Sequence, residues 1–315
     1  MSAARPNKWA ADMARRPQPL VQPTPVLAEP GGRRIVAGDG NGYHVVTVEG
    51  DAAMSGVPAV FLHGGGPGCT GWSDFGQVAP LFAQDRPVHL VDLLQYGRSD
   101  KHPIEGPRWS YLASSMVSLF DTMELDRVDL ICNSWGGTIA IALASEHPDR
   151  VRAMSITGSM PVFYGPLAPL PEGGTRGRRA RNEYFGGAGP TREKMEALIA
   201  GLEWYDSTKI PATTIDYRYE MSLDPDEMRL AASSDDLRGE WQDLEGHLRI
   251  IQCPTLFCWG MHDDFLTPDY PLMLARMVPH GQLYVMDQVS HHLQEERPWD
   301  YYSIVTGFLE QQHDR

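Results

Sequence analysis

The sequence is poor in cysteine and pairs none of it. Cys69, Cys132, Cys253 and Cys258 are the four cysteines in 315 residues, and no CxxC spacing occurs. A disulfide framework or a thiolate metal site needs clustered cysteines, so neither is expected. Three of the four sit in or beside apolar runs, as reduced core cysteines of a cytoplasmic protein do. No apolar run is long enough to span a bilayer. No apolar core follows the N-terminal positive charges, so secretion is not expected either. Positive charge is scarce: 27 Lys and Arg stand against 41 Asp and Glu, a net charge of -14. Nucleic acid and anionic membrane surfaces are therefore not expected partners, and the acidity is read as solubility. There is no internal repeat. No Lys-Ser/Thr follows the Gly-rich loop, so a P-loop is excluded and nucleotide binding is not expected.

What is present suits one large α/β unit. Apolar residues make up 42% of the chain, enough for a sizeable core. Residues 1–32, rich in Pro, Ala and Arg, read as an irregular arm packed on the body or on a partner subunit, which leaves a homo-oligomer open. Strand-like runs follow at 33–37 and 43–48, joined by a Gly-rich hairpin turn, and at 58–62, 87–93, 128–132 and 151–157. Helical periodicity covers 111–125 and 138–147. This alternation predicts a mostly parallel sheet with helices on both faces. The pattern breaks over 161–245, where Pro/Gly stretches, a basic cluster and helix-like segments occur without a β-run, so a helical lid is expected there. Strands return at 249–259 and 282–286, and a helix at 299–311 closes the chain. The core is thus expected over 33–160 and 246–315.

The stretch Asp129 to Gly137 organises the chemistry. A buried strand runs into Asn133-Ser134-Trp135-Gly136-Gly137 and then a helix. This is the context in which a strained turn presents a serine at the top of a sheet. A free serine hydroxyl needs a base, an acid to orient that base, and an oxyanion hole. Parallel sheets place their sites at strand C-termini. After the strand ending at Trp259-Gly260 come Asp263 and Asp264; after the next come Ser290, His291 and His292. Asp263 is taken as the acid. His291 is taken as the base because Ser290 before it fills the place of a small turn residue. Two adjacent histidines lack a third ligand at metal spacing, so no metal is expected. The loop His63-Gly64-Gly65-Gly66-Pro67-Gly68 follows another strand. Its glycines let N–H groups approach a developing oxyanion, with Gly65, Gly66 and Trp135 as the expected donors.

These motifs resemble those of the meta-cleavage-product hydrolases of the α/β-hydrolase superfamily, which hydrolyse a carbon–carbon bond in 2-hydroxy-6-oxo-dienoates formed by ring-opening of catechols. The resemblance runs from about Ala59 to the C-terminus. It is carried by His63 to Gly68 with Gly71-Trp72-Ser73-Asp74-Phe75, by Gly97-Arg98-Ser99-Asp100, by Asn133 to Gly137, and by Trp259-Gly260 with Asp263. It implies an α/β-hydrolase fold with a helical cap, no cofactor and a small-molecule substrate. It also implies that Asn133 and a lid arginine, Arg218, hold the 2-oxo-carboxylate end of that substrate. Three departures stand out. Cys132 replaces the first Gly of the family's Gly-Asn-Ser-x-Gly-Gly, Leu94-Gln95 replaces a Pro-Gly, and His292 replaces an aromatic that packs on the substrate. The competing enzyme readings are an esterase or lactonase, or a proline-iminopeptidase-like hydrolase whose lid acid (Glu203, Asp206 or Glu220) would hold an amine. A non-catalytic receptor or scaffold on the same fold is the other class. For an apolar substrate group the lid is expected to offer Trp204, Tyr205 or Tyr217.

Overall fold

The computed structural model describes residues 29–49, 56–162, 171–232 and 237–312, so most of the expected arm and the Pro-rich stretch from 163 to 170 lie outside them. The apolar runs form an eight-stranded sheet. In chain order its strands are β1 (Arg33–Val36), β2 (Gly42–Val48), β3 (Ala59–Leu62), β4 (Val88–Val91), β6 (Val128–Asn133), β7 (Val151–Thr157), β9 (Thr255–Gly260) and β10 (Gly281–Met286). Their spatial order is β1-β2-β4-β3-β6-β7-β9-β10. Only β2 runs against its neighbours; the remaining pairs are parallel. Every residue of β3, β4, β6 and β9 is buried, as continuous apolar runs covered on both faces should be.

One face of the sheet packs on helices Arg108–Thr122 and Trp135–Glu146, with Trp109, Leu112, Ile139 and Leu143 in the core. The other packs on helix Pro298–Glu310 through Tyr301, Val305 and Leu309, with Phe61, Phe75 and Phe82 edge to face beneath. The polar break in β6 is Asp129. Its carboxylate is fully buried and accepts hydrogen bonds from Arg86 Nη1 (3.1 Å) and Arg152 Nε (2.8 Å), which compensate its burial.

The chain leaves β3 for β4 on one side and comes back to β6 on the other. The crevice between β3 and β6 is therefore the switch point at which ligands bind in sheets of this kind. The loop starting at His63 leaves β3 there, and Ser134 ends β6 beside it.

Helices Pro171–Phe185, Arg192–Leu198, Ala212–Ser222 and Pro225–Ala232 stand between β7 and the last strands. They have a small core of their own around Tyr184, Met195, Ile199, Trp204 and Ile215. Two expectations need correction. The segment 161–245 is not free of β-structure: β8 (Arg238–Glu240) pairs in parallel with β5 (Ile104–Pro107) and ties this segment to the core. Three residues interrupted by Gly239 at φ 82° are too short and irregular to show a period-two pattern. The strand expected over 249–259 begins only at Thr255, because Glu245–Leu248 forms a helical turn and Pro254 precedes the ladder.

Candidate functional site

Ser134 lies at φ 49°, ψ -112°, a strained conformation for a residue with a side chain. Its backbone is held on both sides. The N–H donates to Thr157 O (2.7 Å), and the C=O accepts from Ser159 Oγ (2.6 Å) and from the N–H of Gly137 (3.1 Å). The turn is this sharp because the helix starts against the end of β3: a Cβ on Gly136 would lie 2.1 Å from Leu62 O. Cys132, where the resemblance has glycine, points into the core and is fully buried.

Asp263 and His291 meet as expected. His291 Nδ1 is 2.9 Å from Asp263 Oδ2, both side chains being buried. The other oxygen, Oδ1, accepts from the N–H groups of Phe265 (2.8 Å) and Leu266 (3.1 Å), so the carboxylate is fixed at both ends. Asp264 instead faces solvent and pairs with Arg176 at 2.9 Å. The imidazole is seated over Gly158, whose positive φ of 62° leaves no room for a side chain: a Cβ there would lie 2.3 Å from His291 Cε1. The Phe265 ring covers it, with centroids 4.5 Å apart. Nothing in the sequence pattern pointed to Gly158.

The loop after β3 is shaped by side chains that hold its carbonyls. His63 accepts the Leu93 N–H at Nε2 (2.9 Å), so its Nδ1 carries the proton and donates to Gly64 O at 2.7 Å. Burial keeps this imidazole below its ordinary pKa, hence neutral. Tyr96 Oη donates to Gly65 O at 3.1 Å. A trans peptide puts its N–H opposite its C=O. The Gly65 and Gly66 N–H groups therefore point away from His63 and Tyr96, and among the described residues neither has a protein acceptor; the same holds for Trp135 N–H. Gly64 N–H is engaged by Asp74 Oδ2 at 2.8 Å.

Ser134, His291, Asn133, Trp135, Gly65 and Gly66 all line one cavity of about 1050 Å³, which is also lined by Gly177, Leu198 and Leu202 of the helical segment. Its apolar wall comes from Trp109, Trp135, Trp241, Phe265 and Met160. The lid aromatics expected there are elsewhere. Trp204 is buried in the segment's own core, Tyr205 is exposed, and Tyr217 packs on the second core cluster with its hydroxyl 3.2 Å from Thr70 Oγ1.

The lid arginine expected to hold a carboxylate needs correction. Arg218 is buried and does not line the cavity. Its fork is taken by Glu203, with Nη1–Oε2 at 2.8 Å and Nη2–Oε1 at 3.2 Å, while Nε donates to Pro67 O at 2.9 Å. A guanidinium whose nitrogens are all engaged has no open edge for a ligand. Asn133 lines the cavity, donates one of its two amide N–H groups to His291 O (3.2 Å), and keeps Oδ1 buried without a partner. His292 does line the cavity, but its Nδ1 is 2.5 Å from Glu295 and its Nε2 is 3.8 Å from Glu203. Burial opposes the charge on His292, but Glu203 and Glu295 outweigh it and raise its pKa to about 9. Glu295, unnoticed in the sequence, sits one helical turn beyond His292. Burial pushes its carboxyl up to about 7. Glu203 also anchors the loop carrying the imidazole, since its backbone oxygen accepts the N–H groups of His291 and His292, each at 3.1 Å.

Comparison with known proteins agrees with this fold. A family model described as the alpha/beta hydrolase fold matches residues 58–298. The chain is 30% identical, over 81% of its length and 87% of the relative's, to the 2-hydroxymuconate semialdehyde hydrolase of Pseudomonas sp. (strain CF600). A solved meta-cleavage product hydrolase from Pseudomonas fluorescens IP01 superposes with a TM-score of 0.74 at 20% identity, covering 89% of this chain and 98% of that one. An N-acyl homoserine lactone degrading enzyme superposes with a TM-score of 0.67 at 29% identity, covering 88% and 100%.

Proposed function

The chain belongs to the α/β-hydrolase fold family, and on that premise we propose that it is a serine hydrolase that cleaves the C5–C6 bond of a 2-hydroxy-6-oxo-dienoate through an acyl-enzyme on Ser134. The observation that carries this reading is the strained Ser134 in one cavity with an imidazole oriented by the buried, doubly held Asp263. The relative named for 2-hydroxymuconate semialdehyde supports the substrate class. In this reading His291 first moves the dienol proton to C5, so that the electrons of the breaking bond can later pass into a carbonyl-conjugated sink. His291 then takes the Ser134 proton as Oγ attacks C6. The Gly65 or Gly66 N–H and the Trp135 N–H stabilise the oxyanion. Its collapse breaks C5–C6, the dienolate so released takes the proton from His291 to give the hydroxydienoate, and water activated by the neutral His291 then hydrolyses the ester to the free acid. All of these steps use side chains and amides of this chain. The four buried, unpaired cysteines suit a reducing compartment such as the cytoplasm.

The second reading, ester or lactone hydrolysis, is favoured by the Glu203–Arg218 pair, which removes the expected carboxylate clamp. The iminopeptidase reading has less support. Both Glu203 oxygens are bound by Arg218, Asp206 is held by Thr208 and Lys209, and Glu220 is exposed. A panel of a ring-fission dienoate, a neutral p-nitrophenyl ester and an acyl homoserine lactone separates the first two. The C–C reading expects the highest kcat/KM for the dienoate, with one acid and one hydroxydienoate formed per turnover. Turnover of the ester or lactone without the dienoate would overturn it.

The acid assignment has its own test. Asp263→Asn should lower kcat by about 10⁴-fold, because an amide favours the wrong imidazole tautomer. Asp264→Asn removes an exposed ion pair with Arg176 and should change kcat less than about threefold. Steady-state rates on the ester suffice, and a larger loss at Asp264 would reverse the assignment.

A further inference from the structure

We propose that Arg238, set beside Arg108 where β8 meets β5, receives a carboxylate of the substrate, in place of the occupied Arg218. Both arginines line the cavity. Arg238 is 3% exposed and Arg108 is 2% exposed. Both share the ring of Trp135, the residue after Ser134: the guanidinium carbons lie 5.6 Å (Arg238) and 5.2 Å (Arg108) from its centroid. Arg108 also stacks on Trp241 at 4.8 Å. Its Nε and Nη2 donate to the carbonyls of Arg238 and Gly239, which holds β8 in place.

Arg238 is the unusual member of this pair. Its Nη1 donates to Tyr96 Oη at 2.8 Å, and its Nε is buried without any hydrogen-bond partner. Among the described residues no carboxylate stands within 4.0 Å of it. Two comparably buried arginines have carboxylate partners: Arg86 with Asp85 and Asp129, Arg218 with Glu203. A guanidinium this deep loses its hydration, and the faces of Tyr96 and Trp135 offset only part of that loss. Glu227 feels the charge of Arg238, but it makes no ion pair with it within 4.0 Å, and one of its oxygens accepts the Gly68 N–H at 3.0 Å. A fork that lines the cavity with its Nε unengaged is suited to a planar carboxylate.

The charges on the cavity wall also orient such a substrate. Arg238 and Arg108 attract a carboxylate to the β5–β8 side, whereas the Glu203 carboxylate on the wall is already paired with Arg218. A conjugated, carboxylate-bearing chain would lie along the Trp135 ring with its carbonyl at Ser134. This inference deepens the C–C hydrolase reading and rests on it for the substrate.

The test compares wild type, Arg238→Met and Arg238→Lys on the ring-fission dienoate and on a neutral p-nitrophenyl ester, with benzoate as an inhibitor of ester hydrolysis. Arg238→Met should lower kcat/KM for the dienoate about a hundredfold more than for the ester, and should raise the benzoate inhibition constant about tenfold. Arg238→Lys should fall between, since it keeps the charge and loses the fork. Equal losses on both substrates, or an unchanged benzoate constant, would overturn the proposal. If wild type hydrolyses the ester and not the dienoate, the C–C reading fails and the benzoate constant alone decides the subsite. If Arg238→Met does not fold, Arg238→Lys carries the same comparison, and equal effects on dienoate and ester reject the site.

Discussion

Ser134→Ala should lower kcat by at least about 10³-fold on any substrate the protein turns over, with His291→Ala close behind. The size follows from what each group does. Ser134 occupies the φ 49° turn at the end of β6, and His291, held by the buried Asp263 at 2.9 Å, lines the same cavity as that serine. Removing both together should cost little more than removing either, because the serine and its base act as one unit. Folding should survive, since Ser134 is held by its backbone bonds to Thr157 and Ser159 and not by its side chain. The measurement is single-turnover and steady-state kinetics with circular dichroism as the folding control. Near wild-type rates in Ser134→Ala would move the nucleophile elsewhere. Cys132 would be a poor replacement, being fully buried with its thiol pKa pushed well up by burial.

The second large effect is on stability. Arg218→Met should destabilise the fold by about 3–5 kcal/mol at neutral pH, because it strands the buried Glu203 carboxylate. Glu203→Gln combined with Arg218→Met should restore much of the loss, since no charge is then left unpaired. The pH dependence has a definite sign. Burial raises the Glu203 pKa, but Arg218, then His292, outweigh it and bring it to about 2, below the unfolded value of about 4.3. The contribution of the pair is thus fully present above pH of about 4.3 and is lost as pH falls toward 2. The deficit of Arg218→Met should accordingly shrink in acid, where Glu203 can protonate. Urea unfolding of the three proteins at pH 7 and pH 4 reads both effects, and a deficit that grows in acid would contradict the assignment. Turnover should fall in Arg218→Met as well. The same Arg218 side chain holds Pro67 O in the Gly-rich loop, and Glu203 holds the backbone of His291.

The parts legible in the sequence are those set by local chemistry. Apolar runs such as Ala59–Leu62 and Thr255–Gly260 could only be buried strands, and their alternation with helices required a parallel sheet. Once that sheet exists, loops after its strands must lie at one edge. The order Gly-rich loop, Ser134, Asp263, His291 could therefore be read as one site without knowing any distance. The choice of Asp263 over its neighbour depended on loop geometry, and only the fold put Asp264 in solvent beside Arg176. Charge partners were beyond the sequence altogether. Arg218 looked like a free cation on a helix, as Glu203 looked like a free acid. The π-helical turn Ile199–Glu203 and helix Ala212–Ser222 bring them together, closing the fork that a substrate was expected to fill. Arg238 had the opposite history: an unremarkable arginine near the end of the lid, placed in the cavity wall by a three-residue strand. Which charges neutralise one another and which face a ligand depends on separations of a few ångströms between distant parts of the chain. Residue type and spacing do not encode those separations, and only the packed tertiary structure determines them.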